Sequence, residues 1–199
     1  ETEYGKYLQK AEKGSQAKGF VLPYGDSPFD DEPVGETVYM DILNRAKKYV
    51  HIMTPYLIID QSMITALTFA AKRGVDVKLI LPHIPDKKFV FALAKSHYKE
   101  LLKAGLRIYE YTPGFVHAKI FTSDDEKAVV GTINLDYPSL YLHFECAAFL
   151  YQVEEIAEIE KDFQRTLEKC QEVTLENRKK GTFFLRLEGW LLKWLAPLM

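Results

Sequence analysis

His117 and Lys119 stand two residues apart in the stretch VHAKIFTSDDEKAVVGTINLD, which runs from Val116 to Asp136. In an extended chain, residues i and i+2 face the same way. An imidazole and an ammonium therefore project together, and Thr132 and Asn134 do the same on the next extended run. A hairpin turning between Asp124 and Asp125 pairs residue 117 with 132 and residue 115 with 134, and brings both polar pairs to one face. Their alternates, Ala118, Ile120, Val130 and Ile133, are apolar and suit a covered face. Glu145 lies on the following strand-like run, FECAAFLY. A carboxylate in such apolar company needs a partner. An imidazole works as nucleophile or general acid/base near neutral pH. Lysine and asparagine hold a phosphate-like oxyanion, and a carboxylate fixes the imidazole tautomer and stabilises its cation. Periodicity alone also accommodates a solvated hairpin carrying polar residues by chance.

The elements around this stretch must position it. FVLPYG reads as a strand, and DSPFDDEPVG as a loop by its Pro, Gly and Asp content. ETVYMDILNRAKKY has apolar residues at helical spacing. VHIMTPYLI is a strand running into a loop. QSMITALTFAAKRG is a helix stopped at Gly74, VDVKLILP a buried strand, DKKFVFALAKSHYKELLKAG a helix stopped at Gly105, and LRIYEY a strand. Strand–helix alternation of this kind predicts an α/β fold: a central mixed, mostly parallel sheet with helices on both faces. VHAKIFT and KAVVGTIN form a hairpin about SDDE. FECAAFLY is a further strand, and QVEEIAEIEKDFQRTLEKCQEV a helix with acidic residues early and lysines later, which suits its dipole.

The tail from Phe183 to Leu198 repeats Phe, Leu and Trp every three or four residues after RKK. It reads as an amphipathic helix, either docked on its own domain or lying on a membrane surface. Residues 1–18 read as a polar linker, 19–175 as the catalytic domain and 176–199 as the tail. The chain begins with Glu1 rather than Met and is expected to be a piece of a longer protein. Net charge is −2, which argues against a nucleic-acid partner, since phosphate contacts call for a basic face. The two cysteines, Cys146 and Cys170, make neither a disulfide framework nor a metal-ligand spacing. A reducing compartment is the default.

His117, Lys119, Asp124, Gly131, Thr132 and Asn134 fit the pattern H-x-K-x4-D-x6-G-[ST]-x-N. That pattern resembles the signature of the phospholipase D superfamily. TPYLIID, RGVDVKLILP, LLKAGLRIYEYTPGFVHAK and GTINLDYPSLYLHFE look like the second catalytic half of bacterial cardiolipin synthases. The resemblance covers about Gly19 to Met199. Thr132 stands where serine is commoner and keeps the hydroxyl, and TPYLIID lacks the usual proline before its aspartate.

The resemblance implies that two phosphatidylglycerols are joined into cardiolipin with release of glycerol, through a phosphohistidine and with no metal or other cofactor. It implies His117 as nucleophile or general acid/base, Lys119 and Asn134 as phosphoryl ligands with Thr132 assisting, and Glu145 as the carboxylate on the imidazole. Asp124 belongs to the catalytic signature, yet the hairpin puts it in a turn, where a structural role is expected. Tyr56, after a strand end, is a candidate substrate-binding residue. His51, His83, His97 and His143 are read as structural or surface groups. The chain carries one copy of a motif that this family uses twice. The implied partners are therefore anionic phospholipid, the membrane surface, and either a missing N-terminal half or a second copy of the chain. The implied location is the cytoplasmic face of the bacterial cell membrane. The alternatives are a single-motif phosphodiesterase or nuclease working as a homodimer, and a non-catalytic lipid-binding fragment.

Overall fold

The computed structural model describes residue 5, residues 18–29 and residues 31–176. The expected tail helix lies outside the described residues, as does most of the N-terminal segment. The order is β1 (Phe20–Asp26), α1 (Val34–Arg45), β2 (Tyr49–Met53), β3 (Leu57–Ile58), α2 (Gln61–Lys72), β4 (Asp76–Pro82), α3 (Lys88–Ala104) and β5 (Arg107–Tyr111), followed by β6 (Ile120–Ser123), β7 (Lys127–Gly131), β8 (Leu135–Asp136), α4 (Tyr137–Tyr141), β9 (Glu145–Tyr151), α5 (Glu155–Leu167) and β10 (Cys170–Val173).

Eight strands form one sheet in the order β1-β9-β7-β6-β2-β4-β5-β10, and β3 and β8 form a separate two-stranded ribbon. The sheet is mixed, as the alternation implies, but it is not mostly parallel. Only β2–β4 and β4–β5 run parallel, while β1–β9, β9–β7, β7–β6, β6–β2 and β5–β10 are antiparallel. The strand preceding α1 does not join the parallel set. It pairs with β9 at the edge, because the later hairpin occupies the place beside β2.

Alternate strand residues serve the two faces of the sheet. Val50, Ile52, Val77, Leu79, Ile108 and Phe121 pack with Tyr39, Ile42, Leu43, Leu67 and Tyr98 from α1, α2 and α3. The other face places Met53 and Ile80 against Phe163 of α5. Helices α2 and α3 end as their sequences imply. Asp60 caps α2 by accepting from the Met63 N–H at 2.8 Å, and the two glycine stops, Gly74 and Gly105, take left-handed φ of 91° and 103°.

Two elements differ from expectation. The last helix ends at Leu167, and residues 170–173 turn back as β10 to cover the open edge of β5. A five-residue helix, α4, follows Asp136, which caps it by accepting from the Ser139 N–H at 2.8 Å. The sequence Asp-Tyr-Pro-Ser, an acidic N-cap followed by an early proline, carries that signal.

The hairpin register is one residue off the expected pairing. Ile120 faces Val130 and Ser123 faces Lys127. Asp124 and Asp125 both take positive φ, 57° and 60°, and the Glu126 N–H returns to the Ser123 carbonyl at 3.0 Å. Glu126 is left as an extra residue outside the β6–β7 ladder, and its carbonyl accepts from the Gln152 N–H at 2.8 Å. Val130, expected on the covered face, is 39% exposed, whereas Ile133 is buried.

Gly131 ends β7 directly under β9. A Cβ there would stand 2.5 Å from the Ala147 Cβ and closer still to the Cys146 carbonyl oxygen. Both are fixed parts of a ladder, so neither can yield. Gly131→Ala is expected to lower stability by about 2–3 kcal/mol and to displace Thr132 and Asn134. Denaturant unfolding of the variant measures the first effect.

Candidate active site

The regular part of β6 begins only at Ile120, and that of β7 ends at Gly131. His117, Lys119, Thr132 and Asn134 therefore stand on segments leaving the ladder rather than within it. This is why the one-residue register change does not separate them. All four line one open pocket of about 490 Å³, with Ala118, Ile120, Val130 and Gly131. The pocket lies beyond Met53, the C-terminal residue of β2, which pairs with Ile120. Strand C-termini are where open α/β sheets place ligands.

Three contacts from other elements hold the second segment. The Tyr39 hydroxyl of α1 donates to the Ile133 carbonyl at 2.9 Å, between Thr132 and Asn134. The Thr54 hydroxyl accepts from the Leu135 N–H at 3.1 Å. The β3–β8 ribbon pairs Leu57 with Leu135 and Ile58 with Asp136.

His117 is exposed, and its ring lies 5.9 Å from that of Phe115. Lys119 Nζ sits 2.9 Å from His117 Nδ1 and 3.3 Å from Nε2, and donates to the His117 carbonyl at 2.8 Å. An ammonium can only donate, so this contact suits an imidazole with a free lone pair on Nδ1. Burial lowers the Lys119 pKa, against the opposing pull of the Glu145 and Asp136 carboxylates. Asp136 was not anticipated from sequence. It is buried, and burial raises its carboxyl pKa against the hydrogen bonds from Ser139 and the nearby His143.

Asn134 Nδ2 donates to Ser139 Oγ at 2.9 Å. Its Oδ1 is buried and has no partner among the described residues. Ser139 thus fixes the amide of Asn134 in the wall of the pocket. Ser139 thereby becomes a positioning residue. Ser139→Ala is expected to lower kcat on a phosphodiester about tenfold with little change in KM. An unchanged kcat would remove it from the site.

Glu145 does not contact His117. Its side chain is 9% exposed, it accepts from the Thr132 hydroxyl in a very short hydrogen bond, and His143 Nδ1 stands 3.7 Å away. The Thr132 hydroxyl is also met by the Cys146 N–H at 3.0 Å. The buried carboxylate thus finds its partner in a hydroxyl, and its charge acts on Lys119.

Asp124 is remote from the pocket, seven extended residues or roughly 20 Å from His117. Its carboxylate accepts from the backbone N–H groups of Lys47, Lys48 and Tyr49 at 2.7, 2.8 and 2.9 Å. It therefore locks the α1–β2 connection to the hairpin tip.

Tyr56 lines a neighbouring apolar pocket with Pro85, Phe91 and Phe115. Its hydroxyl donates to Asp86 at 2.6 Å. Burial, then that hydrogen bond and the Asp86 charge, push its pKa up to about 12. The remaining histidines divide. His51 is buried, stacked between Tyr49 and Phe163 at 4.3 and 4.7 Å and bonded to Glu160 at 2.7 Å. His97 is buried in α3, and His83 bonds Glu110 at 2.8 Å. His143, read as a bystander, stands at the margin of the site. Among the described residues no three His, Cys, Asp or Glu side chains converge on a metal position.

The model of the family described as "Cardiolipin synthase, PLD-like domain" matches residues 39–167, which span the whole pocket. The chain belongs to this family. It is 37% identical over 195 residues to cardiolipin synthase 2 of Bacillus anthracis, covering 98% of this chain and 38% of that protein. The chain spans less than half the length of the curated relatives it matches. The phosphatidylserine synthase of Haemophilus influenzae Rd KW20 shares the fold, with a TM-score of 0.68 at 18% identity over 89% of this chain and 45% of that one. So does Nuc, a phospholipase D family member from Salmonella typhimurium, with a TM-score of 0.67 at 16% identity over 78% of this chain and 99% of that one. The phospholipase D-like domain is thus an α/β fold with a mixed sheet flanked by helices.

Proposed function

We propose that this chain is a phosphatidyl-transferring half-domain that joins two phosphatidylglycerols into cardiolipin and releases glycerol. The observation that carries the reading is the convergence of His117, Lys119, Thr132 and Asn134 on one open pocket, with Glu145 behind it bonded to the Thr132 hydroxyl. The 37% identity to a named cardiolipin synthase supports the choice of substrate.

One imidazole attacks the phosphorus of the first lipid. A phosphorus–nitrogen bond forms, the phosphorus–oxygen bond to the headgroup glycerol breaks, and a second imidazole protonates the departing oxygen. That imidazole then takes the proton from a primary hydroxyl of the second phosphatidylglycerol, whose oxygen displaces the first imidazole from phosphorus. His117 supplies one of the two imidazoles. The other comes from a complementary half or a second copy of the chain, a C2 contact being one geometry that brings two copies of the pocket together. Lys119 leaves His117 to neutralise an equatorial phosphoryl oxygen, and Asn134 donates to another. Thr132 holds Glu145 where its charge keeps Lys119 protonated. The reaction takes place at the cytoplasmic face of the cell membrane.

Incubation with phosphatidylglycerol vesicles, assayed for cardiolipin and for free glycerol in equal amounts, tests this reading. Phosphatidic acid in place of cardiolipin would mean that water, not a lipid hydroxyl, is the acceptor. Cleavage of nucleic acid without lipid turnover would favour the single-motif nuclease, a reading that the net charge of −2 disfavours.

A further inference from the structure

The connection from β4 into α3 has no role in the chemistry above. His83 to Phe89 are seven consecutive exposed residues. Two are large and apolar: Ile84 is 50% exposed and Phe89 36%. Lys87 and Lys88 lie between them in sequence, and neither ammonium is ion-paired among the described residues. The one acid in the run, Asp86, is already engaged, accepting from the Tyr56 hydroxyl at 2.6 Å and from the Lys87 N–H at 2.6 Å.

Directly behind this loop lies the apolar pocket lined by Tyr56, Pro85, Phe91 and Phe115. The Tyr56 and Phe115 rings are 6.2 Å apart, and Phe115 is 5.9 Å from the His117 ring. The aromatic rings of Tyr56 and Phe115 therefore stand in a row between the loop residues Pro85 and Asp86 and the imidazole.

We propose that the loop 83–89 is a membrane-docking lip for an anionic bilayer. Ile84 and Phe89 enter the interfacial layer, and Lys87 and Lys88 engage lipid phosphates. Apolar side chains flanked by lysines match the chemistry of such a surface. The inference rests on the lipid reading of the His117 pocket: a lipid phosphate held there can lay its glycerol and upper acyl carbons along Phe115 and Tyr56 toward the lip.

The test reads binding without turnover, so it stands apart from the catalytic reading. The full chain and two double variants, Ile84→Ser with Phe89→Ser and Lys87→Glu with Lys88→Glu, are sedimented with vesicles of phosphatidylglycerol and phosphatidylcholine in equal parts, and with phosphatidylcholine alone. The wild type is expected to prefer the anionic vesicles, and each double variant to bind them about tenfold more weakly. The His117→Ala chain is expected to bind as wild type; if it does so while the native chain turns over no lipid either alone or with a complementary half, the catalytic reading fails and the lip stands. A fluorophore on Ile84→Cys supplies a second readout. Nitroxide lipids should quench it at shallow depth, with the wild-type chain labelled at its exposed Cys146 as background. Wild-type binding by both double variants, or no quenching above background at residue 84, would overturn the proposal. So would a change of oligomeric state in the variants with vesicle binding unchanged, which would mark the loop as a protein interface.

Discussion

His117→Ala is expected to lower phosphatidylglycerol turnover at least about 10³-fold. The pocket offers one imidazole, and neither the protonated Lys119 ammonium nor the Asn134 amide has a lone pair with which to attack phosphorus or take a proton from the incoming hydroxyl. The loss should appear in kcat more than in KM, because Lys119 and Asn134 remain to hold the lipid phosphate. The assay belongs on whichever assembly turns over lipid, the chain alone or the chain with a complementary half. Acid-quenched reactions with lipid labelled at phosphorus add a second readout. A protein–phosphorus adduct that persists in the alanine variant assigns the nucleophile to the other imidazole and leaves His117 as acid and base. Turnover that persists removes His117 from the mechanism. The Lys119 pKa bears on the same profile. Burial lowers it, so the alkaline limb of kcat/KM should fall below the ordinary lysine range of about 10.4.

Asp124→Ala is expected to destabilise the fold by about 2–3 kcal/mol without entering the chemistry. Three backbone N–H groups lose their acceptor at once, and alanine is poorly suited to the positive φ of 57° at this turn. Burial acts to raise the Asp124 pKa, but the hydrogen bonds from Tyr49, Lys47 and Lys48 outweigh it and hold the carboxyl below its usual range. The sign of the pH effect follows. A carboxylate with a folded-state pKa below its unfolded value stabilises the fold above the unfolded pKa, near 3.9. That contribution is lost as pH falls through the folded value. Wild type and Asp124→Ala should therefore differ most in denaturation midpoint at neutral pH, and the gap should narrow in strong acid to the pH-independent penalty of alanine at this φ. A folded Asp124→Ala that loses turnover while keeping its midpoint would show that this motif position serves chemistry after all.

Much of the architecture is legible in local pattern. Helices α2 and α3 stop at the glycines that mark their ends, and α2 starts at its Asp60 cap, because those signals act within one turn of chain. What local pattern cannot express is which strands become neighbours. The alternation suggests mostly parallel pairing, yet β6 takes the place beside β2 and sends β1 to the edge with β9. Residues 170–173 continue an acidic helical pattern, but the open edge of β5 offers them a ladder, and long-range hydrogen bonding overrides propensity there.

At the site, the sequence by itself determined the chemical groups and their pairwise spacing: His117 with Lys119, Thr132 with Asn134, and a glycine before them where β9 passes too close for a side chain. Spacing along a strand is a covalent property, so it survives any register. The sequence also marked Asp124 as a turn residue, since aspartate tolerates left-handed backbone. Only the tertiary structure decided who touches whom. It assigned Glu145 to Thr132 rather than to His117, brought in Ser139 and Asp136 through a helix of five residues, placed His143 at the rim, and sent Tyr56 to the adjoining apolar pocket. Those contacts join residues from separate elements, and their distances depend on packing and hydrogen-bond satisfaction across the whole sheet, which no local pattern records.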